Sequence, residues 1–243
     1  MQRTIADEGI SIITCTKRQQ YIENAFGNYD AQTWKAKELI IILNNDGMNI
    51  EKYRRRARKR ENVSVYQLPE NTSLGECLNF GVDKSMFNYV AKFDDDDYYA
   101  PDYLTDAMHA FQKSNADIVG KRTHYVYLEA SNLLVLRYPK NENSFVSSLS
   151  GATLVIRKAV FDKVRFPDRD LGEDSRFCRE CDKLGLKMFS DYKYNFVAIR
   201  RENAEDHTWP ITEQKLISLS NVLIIPFSRK FQEYVTKSAE ING

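Results

Sequence analysis

Along the first hundred residues, short apolar runs alternate with longer segments whose apolar residues recur every three or four positions, the two patterns that mark buried strands and amphipathic helices. Ile10 to Thr14 is apolar and β-branched, and Gln19 to Gln32 then sets Tyr21, Ile22, Ala25, Phe26 and Tyr29 at helical spacing. Glu38 to Leu43 predicts a second buried strand, closed by the turn-forming Asn44, Asn45, Asp46 and Gly47, and Asn49 to Arg60 predicts a second helix. Val63 to Leu68 reads as a third strand. Ser73 suits the cap of a helix running through Lys84, with Leu74, Leu78 and Val82 on one face. Tyr89 to Phe93 then predicts a fourth strand that runs into four consecutive aspartates, and Pro101 opens the next helix.

Strands alternating with helices imply parallel β-α-β units, so the fold class is α/β: a Rossmann-like, mostly parallel sheet with helices on both faces. Ligands of such sheets bind beyond the carboxyl ends of the strands. Those ends carry Thr14 to Arg18, Asn44 to Gly47, Pro69 to Ser73 and Asp94 to Asp97, which should converge on one crevice. The second half changes character. Arg122 to Glu129 and Leu133 to Tyr138 alternate like a hairpin, Asn141 to Ser150 is polar and expected to be mobile, and Gly151 to Ile156 predicts another strand. Val160 to Val164 and Glu173 to Leu184 read as helices, Lys187 to Phe189 and Phe196 to Arg200 as strands, and Glu213 to Leu223 with Ser228 to Ala239 as a helical C-terminal tail. No internal repeat or low-complexity linker interrupts the chain, which implies one domain over 1–243.

The 243 residues are 42% hydrophobic and 28% charged, close to globular averages, which excludes a disordered tail, a collagen-like repeat and a disulfide mini-scaffold. The net charge of +1 hides a segregation: Arg54, Arg55, Arg56, Arg58, Lys59 and Arg60 form one run and Asp94 to Asp97 another. The basic run has no interleaved aromatics, so it reads as an exposed helix face; no nucleic-acid partner is expected, and peripheral attachment to an anionic membrane or polymer surface is the secondary reading. No apolar stretch approaches the roughly 20 residues of a membrane span. The start of the chain lacks a signal-peptide pattern, and four cysteines are too few for a disulfide framework, so a cytoplasmic location is expected. Cys178 and Cys181 fall on one helical face without a second pair, which favours packing over a zinc or redox motif.

Four adjacent carboxylates at the end of a buried strand repel one another, so a cation should sit among them. If the segment stays extended, Asp94 and Asp96 face one site while Asp95 and Asp97 turn elsewhere. Oxygen ligands of this kind suit Mg2+ or Mn2+ bridging carboxylates to substrate phosphates, whereas a solvated acidic turn before Pro101 is the bland alternative. Glu173 and Asp174 fall on the first turn of a predicted helix, where the macrodipole favours them.

Taken together and in this order, these segments resemble the family 2 glycosyltransferases of the GT-A fold over about Gly9 to His207. Ser11-Ile-Ile-Thr-Cys-Thr-Lys-Arg18 is similar to the family's first strand and turn, and Asn28-Tyr-Asp-Ala-Gln-Thr-Trp34 to the end of its first helix. Leu74-Gly75 and Asn79-Phe80-Gly81 resemble its third segment. Phe93-Asp-Asp-Asp-Asp97, with Pro101 and Leu104, resembles its D-x-D motif, and Gly172-Glu173-Asp174 the acidic motif that ends in the catalytic base. The resemblance implies a nucleotide-sugar-binding half over 9–100, a smaller acceptor-side lobe with catalytic residues over 101–210, and the helical tail over 211–243. It implies donor-nucleotide contacts at Thr14, Thr16, Arg18, Asn44, Asn45, Asp46, Gly75, Asn79, Asp94 and Asp95. Asp96 and His207 would hold Mn2+ or Mg2+, Arg200 and Arg201 would contact the diphosphate, and Asp174 would be the general base, placed by Glu173. The family's second-strand turn usually carries two aspartates where this chain has Asn44 and Asn45, and Leu78 stands where many relatives carry arginine.

The implied activity is transfer of one sugar from a nucleotide-diphosphate sugar, UDP-sugar favoured, to a hydroxyl of a bacterial envelope or spore-surface glycan, by metal-assisted single displacement with inversion. The absence of a Gln-x-x-Arg-Trp motif argues against a processive synthase. A haloacid-dehalogenase-like phosphatase also places D-x-D after a strand, but on its first strand and with different following residues. A nucleotidyltransferase would want a Gly-rich, Arg-containing loop after strand one. A catalytically silent scaffold is opposed by the intact Asp94, Asp96 and Asp174.

Overall fold

Residues 8–201, 211–227 and 230–237 are described by a computed structural model of the chain. The alternating strands assemble as the sequence pattern requires: β1 (Ile10–Thr16), β2 (Lys37–Leu43), β3 (Val63–Gln67) and β4 (Tyr89–Lys92) pair in parallel in the order β3-β2-β1-β4. Because successive strand residues point to opposite faces, the continuous apolar run of β2 feeds two cores. Leu39, Ile41 and Leu43 join Ile10 and Ile12 beneath α1 (Ile22–Ala31), α2 (Ile50–Ala57) and α4 (Tyr103–Ser114). Ile40 and Ile42 join Ile13 beneath α3 (Leu74–Lys84) and α5 (Glu173–Lys183). Ser73 caps α3 as predicted and Asn49 caps α2, each side chain accepting a backbone N–H three residues on.

Beyond β4 the sheet becomes mixed. Strands β6 (Ile118–Gly120), β9 (Ser144–Val146), β10 (Val155–Arg157) and β11 (Met188–Ser190) continue it in the order β10-β6-β11-β9, with β10 antiparallel to both β4 and β6. A second sheet carries β5 (Tyr98–Tyr99), β7 (His124–Leu128), β8 (Leu133–Arg137), β12 (Phe196–Arg200) and β13 (Val222–Ile225) in the order β13-β8-β7-β12-β5. Tyr98 and Tyr99 pair with β12, so the four aspartates lie where the chain crosses from one sheet to the other.

Three expectations change here. Residues 151–153 form a 3-10 turn rather than the start of a strand, because the Tyr99 and Tyr103 hydroxyls take the carbonyls of Ala152 and Thr153 at 2.6 and 2.8 Å, and the Thr153 hydroxyl donates to the Ser150 carbonyl at 2.7 Å. The polar segment 141–150 is not uniformly loose, since β9 within it pairs with β11. In the tail, α6 (Glu213–Ile217) and α7 (Phe231–Val235) are helical, but Val222-Leu-Ile-Ile225 is a β-branched run and adds β13 antiparallel to β8. Cys178 and Cys181 are buried free thiols in the second core, as their spacing suggested.

Candidate functional site

Strand β4 ends at Lys92, and Asp94 to Asp97 follow in a turn, so the strand alternation does not govern them. The turn is closed by Phe93 stacking on Tyr99 with ring centroids 3.7 Å apart, and by the Asp94 N–H donating to the Tyr99 hydroxyl oxygen at 2.9 Å. Asp94 pairs with buried Lys92, Nζ to Oδ1 2.5 Å. Asp95 accepts the Thr16 hydroxyl at 2.5 Å and pairs with Arg18, whose Nη1 also reaches Asp96 Oδ2 at 2.9 Å. Asp97 accepts the Ile199 N–H at 2.9 Å, while its carbonyl takes Asn24 and Asn28. Asp95 and Asp96 therefore share one partner, contrary to the expected split between odd and even positions.

The electrostatics follow from burial and crowding. Asp95 is pushed up to about 6, by burial first and then Asp96, against the pull of Arg18. Burial, Asp96 and Asp94 hold Asp97 well above the ordinary carboxylate range. For Arg18 and Lys92, burial alone would lower the pKa. Asp95 and Asp96 outweigh it at the first, and Asp94, Glu173 and Asp174 at the second, so both titrate above their ordinary values.

The second acidic motif is built by a glycine. Gly172 caps α5 at φ +74°, a backbone other residues seldom adopt, and launches Glu173 and Asp174 onto the first helical turn. Glu173 is buried and raised to about 7, chiefly by burial, with Lys92 pulling down and Asp174 pushing up. Asp174 is half-buried and its Oδ1 accepts the Ser175 N–H at 2.6 Å. It lies so close over Gly151 that a Cβ there would meet Oδ2 at 1.7 Å. The two acidic motifs line one cleft of about 610 Å³, together with Arg18, Lys92, Arg122 just ahead of β7 and the second-sheet residues His124, Arg137 and Arg200.

Of the sequence-predicted residues, Thr16, Arg18, Asp94, Asp95, Asp96, Glu173 and Asp174 are thus brought together. Arg201 reaches the same turn, donating from Nη2 to the Asp96 carbonyl at 3.0 Å, whereas Arg200 donates to the Ile211 carbonyl at 2.7 Å from the neighbouring cleft wall. Others are engaged elsewhere. Thr14 is buried in β1, and the Asn44 amide donates to the Pro69 carbonyl at 2.7 Å. Asn45 folds its turn by accepting the Gly47 N–H, leaving Asp46 exposed beside it. Gly75 is wedged on the backbone of Pro167, where a Cβ would meet the carbonyl oxygen at 1.8 Å. Asn79 spends both ends of its amide on the Phe166 backbone, at 2.9 and 3.1 Å. Both residues thereby fasten α3 to residues 166–167. His207 lies outside the described residues. The pattern did not single out Lys92, Gly151, Arg122 or Arg137; a lysine ending a buried strand just before four aspartates was the one available signal.

Among the described residues no three His, Cys, Asp or Glu side chains converge as a ready metal cage. Asp94 and Asp96 nevertheless present hard oxygen donors to the cleft, and the cation already drawn between Asp95 and Asp96 is a guanidinium. That donor set fits an Mg2+ or Mn2+ ion that takes few protein ligands and shares the rest with water and phosphate.

Residues 11–163 match the family described as Glycosyl transferase family 2. The O-antigen biosynthesis glycosyltransferase WbnJ of Escherichia coli is 26% identical over 200 residues, covering 77% of this chain and 78% of that protein. The poly-beta-1,6-N-acetyl-D-glucosamine synthase of Staphylococcus aureus is 24% identical over 179 residues, and there the match spans only 43% of the relative. Among solved structures, S. aureus TarS 1-349 in complex with UDP-GlcNAc superposes with a TM-score of 0.65 at 20% identity, covering 80% of this chain and 59% of that one. The mannosyltransferase PcManGT of Pyrobaculum calidifontis, in complex with GDP-Man and Mn2+, gives 0.59 at 14% identity, covering 79% and 56%. The α/β sheet order, the paired acidic motifs at its carboxyl edge and the match over most of the chain lead to one conclusion: the chain belongs to glycosyl transferase family 2 and is a glycosyltransferase built on the GT-A fold.

Proposed function

We propose that the chain moves single sugars from a nucleoside-diphosphate sugar, a UDP-sugar in preference, to a hydroxyl of a bacterial surface glycan, with inversion at the anomeric carbon. The observation that carries this reading is the meeting of two acidic motifs in one cleft, Asp94 to Asp97 at the end of β4 and Asp174 on the first turn of α5. The names of the relatives point the same way: an O-antigen glycosyltransferase, a poly-N-acetylglucosamine synthase and a structure holding UDP-GlcNAc.

In this reading Thr16, Arg18 and Asp95 form the wall against which the nucleotide lies, and Arg201 meets the diphosphate beside Asp96. Asp96, with Asp94, would hold the divalent ion, and His207 would be a further ligand. A bound ion of that kind supplies the positive charge that a departing diphosphate needs. Asp174 takes the proton of the acceptor hydroxyl as its oxygen bonds to the anomeric carbon. The bond to the diphosphate breaks on the opposite face, and its electron pair leaves with the nucleoside diphosphate. Glu173, buried behind Asp174 near Lys92, fixes the helix start that aims the base. Among the described residues no helix is long and apolar enough to cross a membrane.

The test is nucleoside diphosphate release from a panel of UDP-, GDP- and dTDP-sugars with Mn2+. Turnover of one donor that stops on chelation, and is missing in Asp96→Ala, is the expected result. Metal-independent turnover, or none with any sugar nucleotide, would refute the proposal.

A further inference from the structure

A second groove, of about 490 Å³, shares no lining residue with the cleft. It follows β3, the strand at one end of the eight-stranded sheet, whose one strand neighbour among the described residues is β2. The bonds at the two ends of that pairing fix which way each residue of β3 turns. The Leu39 N–H donates to the Asn62 carbonyl and the Leu68 N–H to the Leu43 carbonyl, both at 2.9 Å, so residues 62, 64, 66 and 68 direct their backbone groups at β2. Val63, Val65 and Gln67 direct theirs outward. Among the described residues no hydrogen bond takes these outward N–H and C=O groups.

Edge strands are commonly blunted by a proline, a bulge or a charge on the strand itself. Val63-Ser-Val-Tyr-Gln67 has no proline and no charge, and its register with β2 is unbroken. Charge gathers instead on the rims of the groove, and it is of one sign. Arg54, Arg58 and Arg60 line it from α2 and the turn that follows, and Lys84 from the end of α3. The one carboxylate in the lining, Glu38, is buried and accepts the Ser11 hydroxyl and the Met86 N–H. Arg54 and Arg58 share a single carboxylate, that of Glu51, at 2.8 and 3.0 Å, while Arg60 pairs with Asp30. The two faces of the strand differ as well. Val63 and Val65 pack into the core beneath α2, on the arginine side, whereas Tyr66 packs on the α3 side, where Met86 lines the groove and is 63% exposed.

An occupant of this groove has to offer backbone partners to β3 and negative charge to the α2 rim at the same time. A second copy of the chain would set one arginine rim against another. A lipid surface would meet the arginines and leave the strand edge unpaired. An extended acidic segment answers both demands, because main-chain bonds supply the affinity of an added strand and its alternate side chains supply the selectivity. We propose that β3 takes up an extended segment of a partner protein as a ninth strand of the sheet. Its carboxylates, at alternate positions, face Arg54 and Arg58, and the apolar side chains between them face Met86 and Tyr66. Docking there leaves the cleft open, so the edge attaches the glycosyltransferase to a partner without competing for donor or acceptor.

The probe is a labelled peptide, acetyl-Glu-Val-Glu-Val-Glu-Val-Glu-amide, titrated against the whole chain by fluorescence anisotropy. Its lysine counterpart and two versions N-methylated on the glutamates or on the valines are measured beside it. The glutamate peptide should bind about tenfold tighter than the lysine one, and saturating UDP should not displace it. Alternate residues of a strand turn their amides the same way, so one methylated peptide should lose binding and the other keep it. Val65→Pro removes an outward N–H and no bond to β2, so the variant should fold and lose the peptide. Joint Arg54→Gln and Arg58→Gln replacement should weaken the glutamate peptide about fivefold. Should Val65→Pro fail to fold, the methylated pair and the arginine variant carry the test. Equal binding of the glutamate and lysine peptides, equal effects of the two methylations, or no binding at millimolar peptide would each overturn the proposal. A dimer of the chain that Val65→Pro abolishes would assign the edge to a second copy, and binding to phosphatidylglycerol vesicles in place of the peptide would assign the rim to lipid; either would overturn it too.

Discussion

Gly151→Ala should disable the enzyme without touching an ionisable group. Gly151 has an ordinary backbone, so alanine is admissible on conformational grounds; the obstacle is Asp174, whose Oδ2, Cγ and Cβ would lie 1.7, 2.5 and 2.6 Å from the new methyl. Rotating the carboxylate away does not relieve the clash, because the Asp174 Cβ is itself too close, so the first turn of α5 must retreat as well. Restoring an ordinary contact of 3.4 Å takes a displacement of about 1.7 Å at Oδ2. A misplacement of about 1 Å in a reacting group costs on the order of 100-fold, or about 2.7 kcal/mol in the barrier. Overpacking itself costs about 1–3 kcal/mol, which lowers Tm by several degrees and leaves the protein folded at 25 °C. The assay is steady-state nucleoside diphosphate release beside calorimetric donor binding and a melting curve. A kcat about 100-fold down, with donor affinity within about threefold, is the expected outcome. Wild-type kcat in a folded Gly151→Ala protein would show that the position of Asp174 over Gly151 does not matter to the reaction.

Two further outcomes concern stability. Gly75→Ala drives a Cβ against the Pro167 carbonyl at 1.8 Å, a backbone atom that cannot turn aside, and should cost about 2–3 kcal/mol in urea unfolding, whereas Gly27→Ala in α1, with nothing within 4 Å, should gain about 0.5–1 kcal/mol; equal effects at the two sites would refute the packing account of Gly75. Glu173 holds its proton to about 7 in the folded chain, against about 4.3 when unfolded, so the native state loses stability as pH rises through that window. Glu173→Gln should therefore melt with the wild type near pH 4 and above it at pH 8, by on the order of 2 kcal/mol; a variant less stable than wild type at pH 8 would overturn the assignment of burial as the dominant force there.

The first four strands and their helices were legible because local rules govern them: β2 is apolar from Leu39 to Leu43 since both its faces are covered, and Ser73 is a cap by chemistry alone. The second half resisted because its strands are short and held from the side. The turn at 151–153 exists through the hydroxyls of Tyr99 and Tyr103, partners some fifty residues away. The aspartates were visible as a cluster, but their directions were not, since the chain turns after Lys92 to deliver Tyr98 and Tyr99 to the second sheet. Lys92 and Gly151 went unnoticed for the same reason: one matters through Asp94 and Glu173, the other through Asp174, and only the fold brings each pair together. The glycine and asparagine of the third segment also fasten residues 166–169 to α3, a long-range contact that no local pattern shows.

In the proposed reaction Asp174 deprotonates the acceptor in the same cleft that holds the donor. Its most direct test is Asp174→Asn, assayed for sugar transfer with the donor found in the panel and for donor affinity by calorimetry. Transfer should fall by about 1,000-fold, in the range of a lost general base, with donor affinity within about threefold of wild type. Transfer at the wild-type rate by Asp174→Asn would contradict it.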